Sequence, residues 1–316
     1  MSTASGIDGQ VMYATETVYG TSVAVTRGIP HVDYQLGEKV SVIESKSIIP
    51  GKFLPMVAGR GEKWVEASLS YELAPQGLGF WAVPLLGAVS TTGAGPYVHT
   101  ITPGETEREK SRTVELNVPA VGTSEKWTIA GCQVTKASMA CKVSEIATME
   151  VELFGKQATR GGAPTAFSAP ANWQPFTFAN LAVTMDAAGT AFDEFSIDFE
   201  TGLKTGRYVF DGVGRPRQGK IADLLKISGS LAGEYADSSY VTKYLSGATA
   251  ELVATFDAGA AAKLVISATI QFGDTSPEVK VGDLTRTSVP FTVVRGSAET
   301  DAQGFTMVLT NSDTTP

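Results

Sequence analysis

Apolar and polar residues alternate along most of this chain. From Trp64 to Leu73, one side collects Val65, Ala67, Leu69, Tyr71 and Leu73, and the other Glu66, Ser68, Ser70 and Glu72. A period of two sends successive side chains to opposite faces of an extended strand, so this segment predicts a strand with one buried and one wet face. Thr148–Phe154 repeats the pattern, with Met149, Val151 and Leu153 set against Glu150 and Glu152, and so does Glu194–Glu200. Further strands are predicted at 113–118, 127–138, 180–185, 225–234, 249–256, 263–272, 287–295 and 304–309. Half-buried strands of this kind belong to antiparallel sheets, so the fold class is mainly β. Helix is predicted twice: at Gly77–Gly87, which contains Pro84, and at Ser238–Leu245, where serines can cap the start and Gly247 lies past the end.

Each short helix follows closely on a strong strand, which points to a repeat. Ala67-Ser68-Leu69 lines up with Gly229-Ser230-Leu231 at an offset of 162 residues, Leu86-Gly87-Ala88 with Ser246-Gly247-Ala248 at 160, and Lys142–Ile146 with Lys280–Leu284 at 138. The expected organisation is two tandem antiparallel β-sandwich or barrel domains, at 1–157 and 176–316, each with a flanking helix. They are joined by a Gly-, Ala-, Pro- and Thr-rich linker at 158–175. Each half also has a long loop rich in cations, at about 38–62 (Lys39, Lys46, Lys52, Arg60, Lys63) and about 201–224 (Lys204, Arg207, Arg215, Arg217, Lys220). These read either as solvated surface loops or as arms that dock on an acidic neighbour.

Composition narrows the function classes. The chain has 316 residues, 43% of them hydrophobic, which is ample for packed cores. No apolar run approaches the ~20 residues that span a bilayer, and Met1–Ser5 lacks the basic and apolar regions of a secretion signal, so the expectation is a protein kept in its compartment of synthesis. A net charge of −8 argues against gripping phosphate, which needs Lys and Arg. The two cysteines, Cys132 and Cys141, are expected to be inert core residues. His31 and His99 have no second His or Cys at metal-ligand spacing. There is no G-x-S-x-G elbow and no phosphate-binding glycine loop. Carboxylate pairs such as Glu150 with Glu152 are what any wet strand face presents, and Asp198 with Glu200 suggests at most incidental cation binding. No enzyme activity, cofactor or metal is expected.

Several stretches together resemble a known family. Glu16-Thr17-Val18-Tyr19-Gly20-Thr21-Ser22-Val23 is similar to its E-x-x-Y-G-T-x-V opening, and Tyr97-Val98-His99-Thr100-Ile101-Thr102-Pro103-Gly104 to its Y-x-H-x-x-x-P-G. Val42–Ser45, Ile49–Lys52, Ala130–Val134, Gly202–Tyr208 and the closing Asn311–Pro316 follow in order. The chain thus resembles the major tail tube proteins of long-tailed, non-contractile, siphovirus-type bacteriophages. The resemblance implies tail-tube-type β domains, ring formation by strand pairing between domains, and rings stacked into a hollow tube. Three copies would supply six domains if the chain is duplicated; otherwise six copies would, with the second half partly an outer decoration. It implies a virion tail protein assembled in the host cytoplasm, meeting tape-measure, tail terminator and distal tail proteins, with viral DNA passing through unbound and no membrane contact. Inter-ring candidates are Lys46, Lys52, Arg60, Arg207, Arg215 and Arg217. Lumen-facing candidates are Glu66, Glu72, Glu150, Glu152, Asp198 and Glu200, whose charge would repel phosphate. The alternative is a virion-surface β-sandwich that binds a receptor or carbohydrate. That reading calls for clustered aromatics, whereas Trp64, Trp81, Trp127 and Trp173 are spread singly.

Overall fold

The structure, a computed structural model, describes residues 5–47, 50–51, 53–54, 56–120, 124–210, 212–235, 237–275, 277–278, 285–295 and 300–316. In chain order the first half comprises β1 (Gln10–Thr15), β2 (Arg27–Ile29), β3 (Asp33–Ser45), β4 (Met56–Glu72), α1 (Leu78–Leu86), β5 (Gly87–Thr92), β6 (Tyr97–Pro103), β7 (Arg112–Val118), β8 (Glu125–Lys142), β9 (Thr148–Gly155) and β10 (Gln157–Arg160). The second comprises β11 (Leu181–Met185), β12 (Ala188–Gly189), β13 (Phe192–Glu200), β14 (Leu203–Lys204), β15 (Lys220–Ile221), β16 (Lys226–Glu234), α2 (Ser239–Ser246), β17 (Thr249–Asp257), β18 (Lys263–Phe272), β19 (Pro277–Glu278), β20 (Arg286–Val293), α3 (Asp301–Gly304) and β21 (Phe305–Asn311). The fold is mainly β and antiparallel, with few helices.

One inner sheet runs through both halves, in the order β3–β4–β9–β8–β13–β16–β20–β19. Alternation decides its faces. Leu69, Tyr71, Met149, Val151, Met139, Phe195, Ile197 and Leu231 are buried beneath it, while Glu66, Glu150, Glu152, Asp198 and Glu200 are exposed above. Beneath lies an outer layer in two parts. In the first half β2, β1, β7, the N-terminal part of β8 and β10 pair in succession. In the second half β12, β11, β17, β18 and β21 do the same. The two halves therefore share one set of pairings, although almost no residue identities are shared. Burying the apolar faces of both layers removes them from water at roughly 25 cal/mol per Å².

One element has no counterpart. After α1 the chain makes a β5–β6 hairpin, whereas α2 leads directly into β17. β6 pairs with β21, so the first half's hairpin seals an outer edge of the second half. This also explains the contrast between the helices. Every residue of α1 is buried, and none of α2 is.

The resemblance motifs prove to be structural hubs. The buried Glu16 carboxylate accepts from Ser111 Oγ, Thr113 Oγ1 and the backbone N–H groups of Gly20 and Gly131, at 2.6–2.9 Å, tying the N-terminal segment to β7 and β8. His99, fully buried, bonds Thr91, Asn311 Oδ1 and the Asp313 carbonyl, and Asp313 in turn accepts the Gly77 N–H at the start of α1. Both cysteines are buried, and burial pushes the thiol pKa of each up.

The structure revises two sequence expectations. The stretch 38–62 is not simply a loop: β3 and β4 stay paired out to Ser45 and Met56, forming a long two-stranded ribbon. The expected linker 158–175 begins inside β10, and its remainder is bonded to the first half, with the Thr165 N–H and hydroxyl donating to Glu115 and the Ser168 carbonyl accepting from Gly28.

Gly131 sits at the β-bulge where the β7–β8 register shifts, with φ +73°, and a Cβ there would meet Lys156 Cβ at 2.7 Å. A Gly131→Val chain combines left-handed strain with overpacking and is expected to lose about 3 kcal/mol, read as a lower urea midpoint.

Candidate assembly surface

The exposed face of the inner sheet is continuous from β3 to β20 and carries every sequence-predicted lumen candidate. Glu66 lies on β4, Glu150 and Glu152 on β9, and Asp198 and Glu200 on β13, all exposed; Glu72, at the end of β4, is half-buried. Register brings them into rows. Lys136 on β8 faces Glu152 on one side and Glu200 on the other, and Ser138 faces Glu150 and Asp198.

This face is not purely acidic, which the sequence reading missed. Lys39, Lys136 and Lys142 share it and pair with Glu66, Glu200 and Glu194 at 3.8, 2.8 and 3.4 Å, while Arg286 pairs with Asp193 and Glu194. Glu72, Glu150, Glu152 and Asp198 make no ion pair among the described residues. A negative strip thus remains along the middle of a charge-balanced sheet. The Lys136 ammonium, bonded to Glu200, holds that carboxyl below the usual glutamate range, and Glu200 in turn raises Lys136. Desolvation pushes Asp198 above the usual aspartate range.

The cationic loop candidates divide into three groups. Lys46 is exposed at the ribbon tip, Arg60 is exposed on β4 within the ribbon, and Lys52 lies outside the described residues. The loop at 201–225 folds back onto the first half. Arg215 pairs with Glu38, whose other oxygen meets Arg160, and donates to the Lys156 carbonyl. The Tyr19 hydroxyl donates to the Pro216 carbonyl, Gln133 and Gly219 bond reciprocally, and Glu109 holds Lys220 and the Ile221 N–H. Arg207, half-buried, donates to the Gln218 carbonyl, and Arg217 is exposed. Arg215 therefore meets an acidic neighbour within its own chain.

The two arms also carry apolar tips that the sequence reading passed over for their lysines and arginines. Phe53 and Leu54 on the ribbon are 97% and 87% exposed, and Phe210 on the second arm is fully exposed. An isolated exposed apolar residue is ordinary; here two adjacent ones are exposed together beyond the paired part of the ribbon.

Trp81 is buried, Trp127 and Trp173 are half-buried, and Trp64 donates to Glu66. Among the described residues no group of His, Cys, Asp and Glu could hold a metal ion, and no helix is long and apolar enough to cross a membrane.

On acidification the two β13 carboxylates act in opposite senses. Glu200, with its folded value depressed, contributes stability above its unfolded value and loses it as pH falls through the folded one. Asp198, with its value raised, relieves its own cost as it protonates. Carbon-detected NMR titration is expected to put Asp198 above, and Glu200 below, their ordinary ranges, and Lys136→Met is expected to return Glu200 toward its ordinary value while leaving Asp198 raised.

Compared with known proteins, residues 6–293 match a family model described as phage tail tube protein. No curated protein matches the chain.

Proposed function

The chain belongs to the phage tail tube protein family, and from that premise we propose that it polymerises as stacked rings into the hollow tail tube, a conduit through which the genome leaves the virion. The observation that carries this reading is the inner sheet, which repeats one four-strand unit and stops at two strand edges, β3 and β19, that have no outer partner among the described residues. Open edges recruit further strands, and a closed ring is the arrangement that satisfies them all.

Both halves lie in the same sheet, because β13 continues directly from β8. That supports a ring of three chains, each a duplicated unit with halves near 1–157 and 176–316, over a ring of six chains with the second half as decoration. The polar face of the sheet then lines the lumen. There Glu150, Glu152 and Asp198, without an ion pair among the described residues, repel phosphate, and the serine-rich surroundings give DNA little to hold. Ring stacking is heterologous and does not close, so it yields a filament. The ribbon with Lys46, Arg60, Phe53 and Leu54, and the arm with Arg207, Arg217 and Phe210, reach the next ring. Tape-measure, terminator and distal tail proteins would meet the ends of this assembly, which forms in the host cytoplasm.

Electron microscopy of the purified protein tests this. The expected result is hollow tubes whose end-on views have three-fold symmetry with six lobes; strict six-fold symmetry would keep the tube and overturn the paired halves. Phe53→Ser with Leu54→Ser is expected to leave a soluble, folded chain with an unchanged melting temperature and to reduce tube yield at least tenfold. Glu150→Lys with Asp198→Lys is expected to permit tubes while slowing DNA release from virions, measured by dye-accessible DNA after triggering, because the lumen would then attract phosphate.

A further inference from the structure

The β8–β13 pairing joins two copies of one four-strand unit inside a single chain, and the match between the units is close enough to transpose the joint. In the first unit Ala67 faces Leu153, and Leu153 faces Val134; in the second Gly229 faces Phe291, and Phe291 faces Phe272. Past these points both ladders slip by one residue. Met149 then faces Met139 in the first unit, and Thr287 faces Pro277 in the second. The slip makes Met139 and Ala140 of β8 equivalent to Pro277 and Glu278, and counting back along the chain sets Lys136 and Ala137 against Asp274 and Thr275. On the opposite edge, Gln35 faces Ser68 where Ser196 faces Ser230, so 33–39 of β3 is equivalent to 194–200 of β13.

We propose that Asp274, Thr275 and β19 of one copy pair antiparallel with β3 of a second copy, in the register of β8 on β13. Asp274 then faces Lys39, Thr275 faces Glu38 and Glu278 faces Gln35. This names the joint within the stacked-ring reading above and rests on it.

Three observations converge on this register. The first is charge. In the internal joint Lys136 pairs with Glu200 at 2.8 Å; the equivalent residues are Asp274 and Lys39, opposite again but with the signs exchanged. The second is burial. Phe195 and Ile197 of β13 are 3% and 0% exposed under the cover of β8, whereas their equivalents Tyr34 and Leu36, on a strand with nothing beyond it among the described residues, are only half-buried. Completing the joint would bury them. The third is an unmet hydrogen bond. Thr275 Oγ1 is buried without a partner among the described residues, and in this register it stands opposite Glu38.

Cysteine pairing tests the joint. Facing residues of antiparallel strands lie within disulfide reach, and the native cysteines are buried. Gln35→Cys with Glu278→Cys is oxidised at assembling concentration, imaged by electron microscopy and run on a denaturing gel; Lys39→Cys with Glu278→Cys, four residues out of register, is the control. The expected result is tubes, a ladder that stops at three chains, and a monomeric control. Tubes from which the test pair runs as monomer would overturn the register and leave the tube reading intact. A three-chain ladder without tubes would keep the joint and sink the tube. Neither ladder nor tubes would overturn both. A charge exchange gives an independent readout: Lys39→Glu is expected to reduce assembly at least tenfold, and adding Asp274→Lys is expected to restore it. Failure of the double variant to assemble better than the single one would count against the pairing.

Discussion

Every extended strand carries backbone donors and acceptors on both edges, and a sheet is stable only where those edges are met. In this chain the ladder between β8 and β13 meets that demand at the most consequential place. It fuses two small sheets into one, covers Phe195, Ile197 and Phe199, and sets the loop at 201–225 against the first half, where Arg215, Gln218 and Lys220 find Glu38 and Glu109. Each isolated half would present a short sheet with two bare edges. Linking them internally turns one association step into a folding step, in which the partner is held at high effective concentration.

Much of this architecture was legible in the sequence because the signal for a half-buried strand is local. Val65 to Leu73 and Met149 to Leu153 alternate, and they form strands with the expected faces. The short helices were legible for the same reason, and Gly87 and Gly247 end them in left-handed conformations. What failed was non-local or two-sided. The β3–β4 ribbon is wet on both faces, so 38–62 shows no amphipathic rhythm and reads as loop. The strands β1, β5 and β6 sit among Gly- and Thr-rich turns that obscure their rhythm, although Tyr97–Thr102 stands out as a motif. The partner of β8 is written nowhere in its own residues. Drifting offsets of 138 to 162 residues point to a repeat, but only the ladders show that a one-residue slip in register recurs in each unit.

The candidate carboxylates illustrate the same limit. Their outward direction followed from alternation, while their partners did not. Glu200 and Glu66 are tied to lysines on neighbouring strands, whereas Glu150, Glu152 and Asp198 have no such tie among the described residues. A face with both signs fixed in ion pairs keeps its serines and carboxylates in place at small energetic gain per pair. The motif residues are likewise architectural. Glu16 and His99 are spent on holding segments together, and neither is free to act on a ligand.

The β5–β6 hairpin breaks the equivalence of the halves on one side only. The inner sheet repeats with every four strands, but the wall behind it carries a hairpin, and the buried helix beneath it, once per chain. In the proposed ring the two surfaces would therefore count differently: a molecule moving along the bore meets the half-chain as its unit of repetition, while a protein gripping the outside meets the whole chain. A three-fold partner would find matching footholds on the exterior of a tube whose interior repeats close to six-fold.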